Sequence, residues 1–302
     1  MRTEPIADAS GLLVPVARPW HWGRWLAAAV ALAIAGRLAY LVVANPRLDW
    51  GKVAEYLFAN RILDGVWVTI EISVLATALG LVLGVLVAIL RLSHNPVLGG
   101  LATFYIWFFR GTPVLVQLIF WYNLAFLFPE LVLKIPFTMI GLKWDTNQVM
   151  TGFTSAMLGL GLNLAAYFAE TVRAGIQAVD RGQTEAAFAL GMTPARRMRV
   201  IVLPQALRII IPPTGNEFIS MLKTTSLVYV VAGHDLMTNA SQIYKANNLI
   251  MELLIVASLW YMLITAVATF LQGRLERRFG SDAVRLVRSG GVAARILPKV
   301  AA

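Results

Sequence analysis

The chain has 302 residues, 58% of them hydrophobic and 14% charged, with a formal net charge of +10 and no cysteine. Its mean hydropathy of +0.70 excludes a soluble multi-domain protein, because 26 basic and 16 acidic residues gathered in short segments cannot supply the polar surface such a protein needs. The expectation is an all-α integral membrane protein, and the missing cysteine excludes disulfides, thiolate metal sites and a cysteine nucleophile.

A helix needs about 20 mostly apolar residues to cross about 30 Å of hydrocarbon, since each residue rises about 1.5 Å and lipid offers backbone polar groups no partner. Six windows meet that requirement: 26–44, 66–90, 101–128, 153–172, 211–231 and 249–271. The first begins as a short apolar run behind a basic segment and contains Ala33-Ile34-Ala35, which also suits a cleaved signal peptide. A retained helix fits better. The apolar run resumes at 38–44, Trp20, Trp22 and Trp25 suit an interfacial belt, and Arg37 is near enough one end to snorkel. The third window is long and holds Pro113, which predicts a bend. Gly80 and Gly84 in the second window, and Gly159 and Gly161 in the fourth, predict close helix packing.

Direction follows from the basic residues, because positively charged loops stay cytoplasmic. Of the 26, 17 fall on one side: in the two tails, at Arg91, and from Arg173 to Arg208. Six fall on the other (Arg47, Lys52, Arg61, Lys134, Lys143, Lys245), and Arg37, Arg110 and Lys223 lie within windows. Both termini are therefore placed in the cytoplasm, and the tails are read as loose. The excess charge is accounted for by topology, and no nucleic-acid partner is expected.

Between the fourth and fifth windows runs EAAFALGMTPARRMRVIVLP, residues 185–204. Thr184 and Glu185 suit the start of a short helix, and Gly191 suits a left-handed residue that stops it. Thr193 then suits the cap of a second helix opening on Pro194, decorated by Arg196, Arg197 and Arg199 and closed by Leu203 and Pro204. Ala186, Ala187, Phe188, Ala189 and Leu190 leave an apolar face outside the membrane, which implies either a partner or packing back on the chain's own bundle.

This segment resembles the signature of the permease subunits of ABC importers that depend on a substrate-binding protein. Glu185-Ala186-Ala187, Gly191, Ile201 and Leu203-Pro204 match every fixed position of that signature and both of its gaps. The resemblance extends over about 65–278. FFRGTPVLVQL (108–118), AAYFAETVRAGI (165–176) and GNEFISMLKTTSL (215–227) look like the polar amino-acid branch. Thr224 is a departure, standing where that branch usually has Asp.

The resemblance implies the type I ABC importer permease fold, here with six helices because the helix at 26–44 is additional to the usual five. It implies a cytoplasmic tail at 1–25, a permease domain at 62–278 with coupling helices at 184–203, and a tail at 279–302. It also implies ATPase subunits docking on the coupling helices from the cytoplasm, an extracytoplasmic amino-acid-binding protein, and a second permease subunit, identical or related. The setting is the lipid of a bacterial cell membrane. No cofactor is expected on this chain, since ATP and magnesium belong to the partner ATPase.

A zwitterionic amino acid crossing hydrocarbon needs internal partners for a carboxylate and an ammonium. Arg110, Asn216, Glu217 and Lys223 are the residues expected along such a path, with Arg110 the first choice for the carboxylate. Gly111, Thr112 and Pro113 after it loosen the helix as broken transporter helices do. Glu71, Asn163 and Glu170 are the other polar groups in or beside windows, and Glu170 is spaced to pair with Arg173 on one helix face. An enzyme is disfavoured: His21, His94 and His234 are scattered, and no His-Glu-x-x-His or Gly-x-x-x-x-Gly-Lys-[Ser/Thr] occurs. A stand-alone secondary carrier is the alternative, but it would usually show a repeat with paired interrupted helices, and none is present.

Overall fold

The computed structural model describes residues 5–7, 13–15, 22–134 and 141–280. It divides into two units, 1–50 and 51–302. In the first, β1 (Pro5–Ala7) pairs antiparallel with β2 (Leu13–Pro15), where the sequence predicts only a loose tail. Pro5 and Pro15 face each other at the strand ends, where a missing N–H does least damage to a ladder. Then comes α1 (Trp22–Val43), mostly apolar, with Arg24 and Arg37 within it and no buried residue.

The second unit begins with α2 (Trp50–Leu57), α3 (Asn60–Arg91), α4 (Pro96–Gly111) and α5 (Val114–Tyr122). A 3₁₀ turn (Leu124–Phe126) leads into a hairpin of β3 (Glu130–Lys134) and β4 (Gly141–Asp145), then the single turn α6 (Thr146–Val149). The chain continues through α7 (Gly152–Gln177), α8 (Arg181–Ala189), α9 (Pro194–Arg197), a π-helical turn (Met198–Val202) and α10 (Leu203–Thr224). A 3₁₀ segment (Thr225–Val231), α11 (Leu236–Asn247) and α12 (Ile250–Gly280) complete it. The carboxy-terminal tail from 281 onward lies outside the described residues.

Among the described residues, α1, α3, α7 and α12 are each long and apolar enough to cross a membrane, and α4 with α5 is long and apolar enough only as a pair, bent by 100° at its break, the geometry of a broken span or a re-entrant loop. The bend has a local cause. Pro113 has no N–H to donate, and the residue before a proline is driven out of the helical region. Thr112 is accordingly extended, at φ −106° and ψ 139°. The window 211–231 is shared between α10 and the 3₁₀ segment after it. Pro212, Pro213, Asn216, Glu217 and Lys223 make α10 unsuited to facing lipid alone, and it packs instead against α3, α7 and α12.

The bundle centres on α3 and α7, which meet along glycines as the sequence predicts. A Cβ at Gly80 would lie 2.8 Å from Leu164, one at Gly84 2.8 Å from Phe168, and one at Gly161 2.8 Å from Leu79. Around this seam lie three apolar clusters. One, with Ile72, Leu118, Leu160 and Val228, sits mid-bundle. A second, with Ala88, Phe168, Val202 and Ala206, lies toward the α8–α9 end. A third, with Ile62, Val66, Leu236 and Leu253, ties α11 and α12 to the start of α3. Asp235 caps α11 by accepting from the Met237 and Thr238 amides at 3.0 and 3.3 Å. It is fully buried, and burial raises its pKa above the usual carboxylate range.

Candidate functional site

Two sites emerge, one inside the bundle and one at its charged end. Inside, a cavity of about 520 Å³ opens where the break between α4 and α5 faces α7 and α10. Arg110, Gly111, Thr112, Pro113 and Val114 line it from the break, Asn163, Leu164 and Tyr167 from α7, and Glu217, Ser220, Met221 and Thr224 from α10. The Arg110 guanidinium lies over the Tyr167 ring, 5.0 Å from its centroid, an arrangement that favours a cation on the ring face. One guanidinium and one carboxylate thus share a cavity whose other polar lining is amide and hydroxyl.

The break holds its shape because its freed carbonyls are taken up by side chains. Gln117 Nε2 donates to Phe109 O at 3.0 Å and to Thr112 O at 3.1 Å, and Asn163 Nδ2 donates to Phe109 O at 2.9 Å. Asn163 was expected among the polar groups. Gln117 was not, because a lone Gln in an apolar run carries no sign of what it will bond; its distance from Pro113, about one helical turn, is the only signal.

Of the residues expected along the path, Arg110 and Glu217 line the cavity. Asn216 lies outside its lining and accepts from Gln272 Nε2 at 3.0 Å. Lys223 is exposed and also outside it, while Thr224, the departure from the family pattern, lines it. Glu71 is exposed and away from the lining. Glu170 pairs with Arg173 at 2.7 Å, the ion pair their spacing predicts.

At the charged end, α8 and α9 form a hairpin. Its first helix starts earlier than expected: Asp180, not Thr184, is the cap, its carboxylate accepting from Gly182 N at 2.7 Å. Thr184 is inside the helix and donates to Arg181 O. Asp180 wins because its acceptor can reach an open amide two residues on. Gly191 stops the helix at φ +73°, as predicted. The Gly191 amide bonds Phe188 O at 2.9 Å and the Met192 amide bonds Ala187 O at 3.1 Å, the paired bonds of a Schellman stop. Thr193 caps α9, accepting from the Arg196 amide at 3.4 Å.

The second helix does not close at Leu203 and Pro204. It runs on through the π-helical turn into α10. Pro204 has no amide for the carbonyl four residues back, so the chain before it widens into π geometry rather than stopping. Within the hairpin Ala187 is buried, while Glu185, Ala186, Gly191, Leu203 and Pro204 are exposed and Ile201 is half-buried. Phe188 and Leu190 are 72% and 82% exposed. The hollow behind them, about 470 Å³, is lined by Glu185, Phe188, Arg197 and Met198 among others.

A bundle of bent apolar helices around a polar cavity, with a capped hairpin standing out from one end, defines the membrane-embedded subunit of a transporter. Residues 80–281 match the family described as binding-protein-dependent transport system inner membrane component. The arginine transport system permease protein ArgU of Corynebacterium glutamicum is 43% identical over 276 residues, covering 91% of this chain and 85% of that protein. The glutamate/aspartate import permease protein GltK of Escherichia coli is 34% identical, covering 76% and 97%. Among solved structures, an amino acid ABC transporter crystallised with histidines is 35% identical with a TM-score of 0.66, covering 76% of this chain and 99% of that one. The MetNI methionine ABC transporter, at 18% identity and a TM-score of 0.56, shares the fold. The chain therefore belongs to the permeases of the polar amino-acid ABC importers, multi-pass proteins of the inner membrane with the type I fold.

Proposed function

We propose that this chain imports polar amino acids that an extracytoplasmic binding protein delivers, powered by a separate ATPase that grips the α8–α9 hairpin. The exposed apolar tip carries this reading. Phe188 and Leu190 stand out into the solvent beside a Schellman stop, and a rigid apolar projection of this kind needs a protein partner to cover it. Glu185, Ala186, Ala187, Gly191, Ile201, Leu203 and Pro204 are the coupling residues, and their continuity with α10 through the π-helical turn gives the hairpin a direct mechanical link to Glu217 in the cavity.

Arg110 takes the substrate carboxylate and Glu217 the ammonium, so that a zwitterion replaces hydration with fixed charges of opposite sign. Asn216 and Lys223, outside the lining, act by supporting α10. The named relatives carry arginine or glutamate and aspartate, which supports amino acids as the class. The work of transport comes from the ATPase, where ATP and magnesium reside. Its closure shifts the bundle only by the difference in docking free energy between outward and inward states, about 1.4 kcal/mol for each tenfold change in their ratio. A second permease subunit completes the path across a two-fold axis.

The test is purification in mild detergent, identification of the co-purifying subunits by mass, and reconstitution in vesicles. Uptake that requires the ATPase, ATP and the binding protein together supports the proposal. Solute exchange by the purified chain without a nucleotide-hydrolysing partner overturns it and favours a secondary carrier.

A further inference from the structure

Between the Arg110 cavity and the α8–α9 hairpin, one face of α7 carries a polar stripe. Asn163, Tyr167, Glu170, Ala174 and Gln177 follow one another at intervals of four, three, four and three residues, the spacing that lines up one side of a helix. Every one of them is exposed or half-buried. Ala165, Phe168, Ala169 and Val172, on the other sides of the helix, are buried in the bundle. The stripe starts in the cavity wall, which Asn163 and Tyr167 line, and it ends at Gln177, the last residue of α7.

Glu170 stands midway, seven residues or about 10.5 Å from either end of the stripe. Its carboxylate accepts from Arg173 Nε at 3.0 Å and Arg173 Nη2 at 2.7 Å, and Arg173 Nη1 donates to Gln177 Oε1 at 2.6 Å. Glu170 and Arg173 keep 22% and 31% of their side-chain surface exposed, so a solute travelling along the stripe reaches both. Arg110 is close enough to act electrostatically on Glu170, as it does on Glu217.

Carboxylate, guanidinium and amide groups in a spanning helix are costly against hydrocarbon and are kept for water-filled cavities or for contacts with one another. This ion pair also suits a cargo. An amino acid bears one ammonium and one carboxylate, so it can replace the pair charge for charge: its ammonium takes Glu170, its carboxylate takes Arg173, and neither side chain is left unpaired. A solute with a single charge orphans one of the two. The Arg110 cavity offers the same two signs, so an amino acid leaving it meets a matching pair farther along the same helix face. On the reading of this chain as an amino-acid importer, we infer that Glu170 and Arg173 form a second, transient station for the zwitterionic head of the solute, and that the polar stripe of α7 walls its exit to the cytoplasm. The station reads the head and not the side chain, because those two charges are all it pairs.

The chain has no cysteine, so a single one placed on the stripe reports its surroundings. Ala174→Cys, about one turn beyond Glu170 and exposed, is assembled with the ATPase in lipid nanodiscs, and labelling is read from the mass of this chain. A charged methanethiosulfonate should label it, and an equimolar mixture of arginine, glutamine and glutamate should block the labelling. The N-acetyl forms of the same three, which lack the ammonium, should not. Adding Glu170→Gln keeps the labelling and raises the concentration for half-protection by about tenfold or more, the effect of losing one charge-assisted hydrogen bond. Gln177→Cys, exposed on the same face, reads the route in the same way if Ala174→Cys fails to assemble. Labelling only by a lipid-soluble maleimide would put the stripe against lipid, and labelling by neither reagent would put it under a second subunit; both overturn the inference. So does protection by the acetylated forms, or protection that ignores Glu170→Gln and is lost with Arg110→Ala, because the Arg110 cavity then accounts for it alone. ATP-dependent uptake by the unmodified complex separates this station from the function it serves: uptake without protection removes the station and leaves the importer, whereas no uptake removes both.

Discussion

Gly191 allows strain and docking to be separated. At φ +73° its backbone is left-handed, and a Cβ built there has nothing within 4 Å. Gly191→Ala therefore introduces no clash. Its cost is conformational alone, about 1–2 kcal/mol for a residue other than glycine in this region, which lowers the population of the native turn relative to alternatives about 5–30-fold. Gly191→Asn costs less, because Asn visits the left-handed region. Gly191→Arg carries the conformational cost and adds bulk and a charge at the proposed docking face. Gly191 belongs to none of the three apolar clusters, so thermal unfolding of the bundle should be unchanged in all three variants. The assay is ATPase activity of the reconstituted complex, stimulated by loaded binding protein. The expected order is wild type, then Asn, then Ala reduced several-fold, with Arg abolished and its ATPase lost on purification. Wild-type stimulation in Gly191→Arg would refute the docking role, and a loss in Ala equal to that in Arg would assign the whole effect to the turn.

Arg110→Ala should raise the substrate concentration for half-maximal uptake by tenfold or more, on the order expected for loss of a charge-assisted hydrogen bond; an unchanged uptake curve returns Arg110 to a packing role against Tyr167. Gly80→Ala places a Cβ 2.8 Å from Leu164 and should destabilise the bundle by about 1–3 kcal/mol, read as a lower unfolding temperature in detergent. No shift would mean that α3 and α7 separate at little cost. Asp235 has a raised pKa from burial, so the folded state keeps its proton to higher pH than the unfolded chain does. Stability therefore falls as pH rises from the ordinary carboxylate value of about 3.9 through the raised one. Asp235→Asn keeps a capping oxygen and removes that dependence, so the unfolding temperature of the variant should gain on wild type as pH rises across that window. A gap that stays constant with pH would show that the carboxyl ionises in the folded state as it does in water.

Much was determined by the sequence alone, because it depends on local terms. Membrane insertion follows from summed apolarity, and the Gly191 stop and Thr193 cap from residue types that satisfy or free neighbouring backbone groups. The seven motif residues from Glu185 to Pro204 identify the family without any coordinates. Three-dimensional packing decided the rest. Asp180 rather than Thr184 opens α8 because capping depends on which acceptor reaches an open amide. The π-helical turn joins the hairpin to α10 because Pro204 widens the chain without ending it. Arg110 and Glu217 share a cavity while Asn216 and Lys223 lie outside it, since the faces of α10 are assigned by what α3, α7 and α12 cover. Gln117 bonding the broken helix and Gln272 donating to Pro212 O on α10 join neighbours 8 and 60 residues away in the chain. A hydrogen bond is made or left unmade by distances of tenths of an ångström, and only the folded chain sets those.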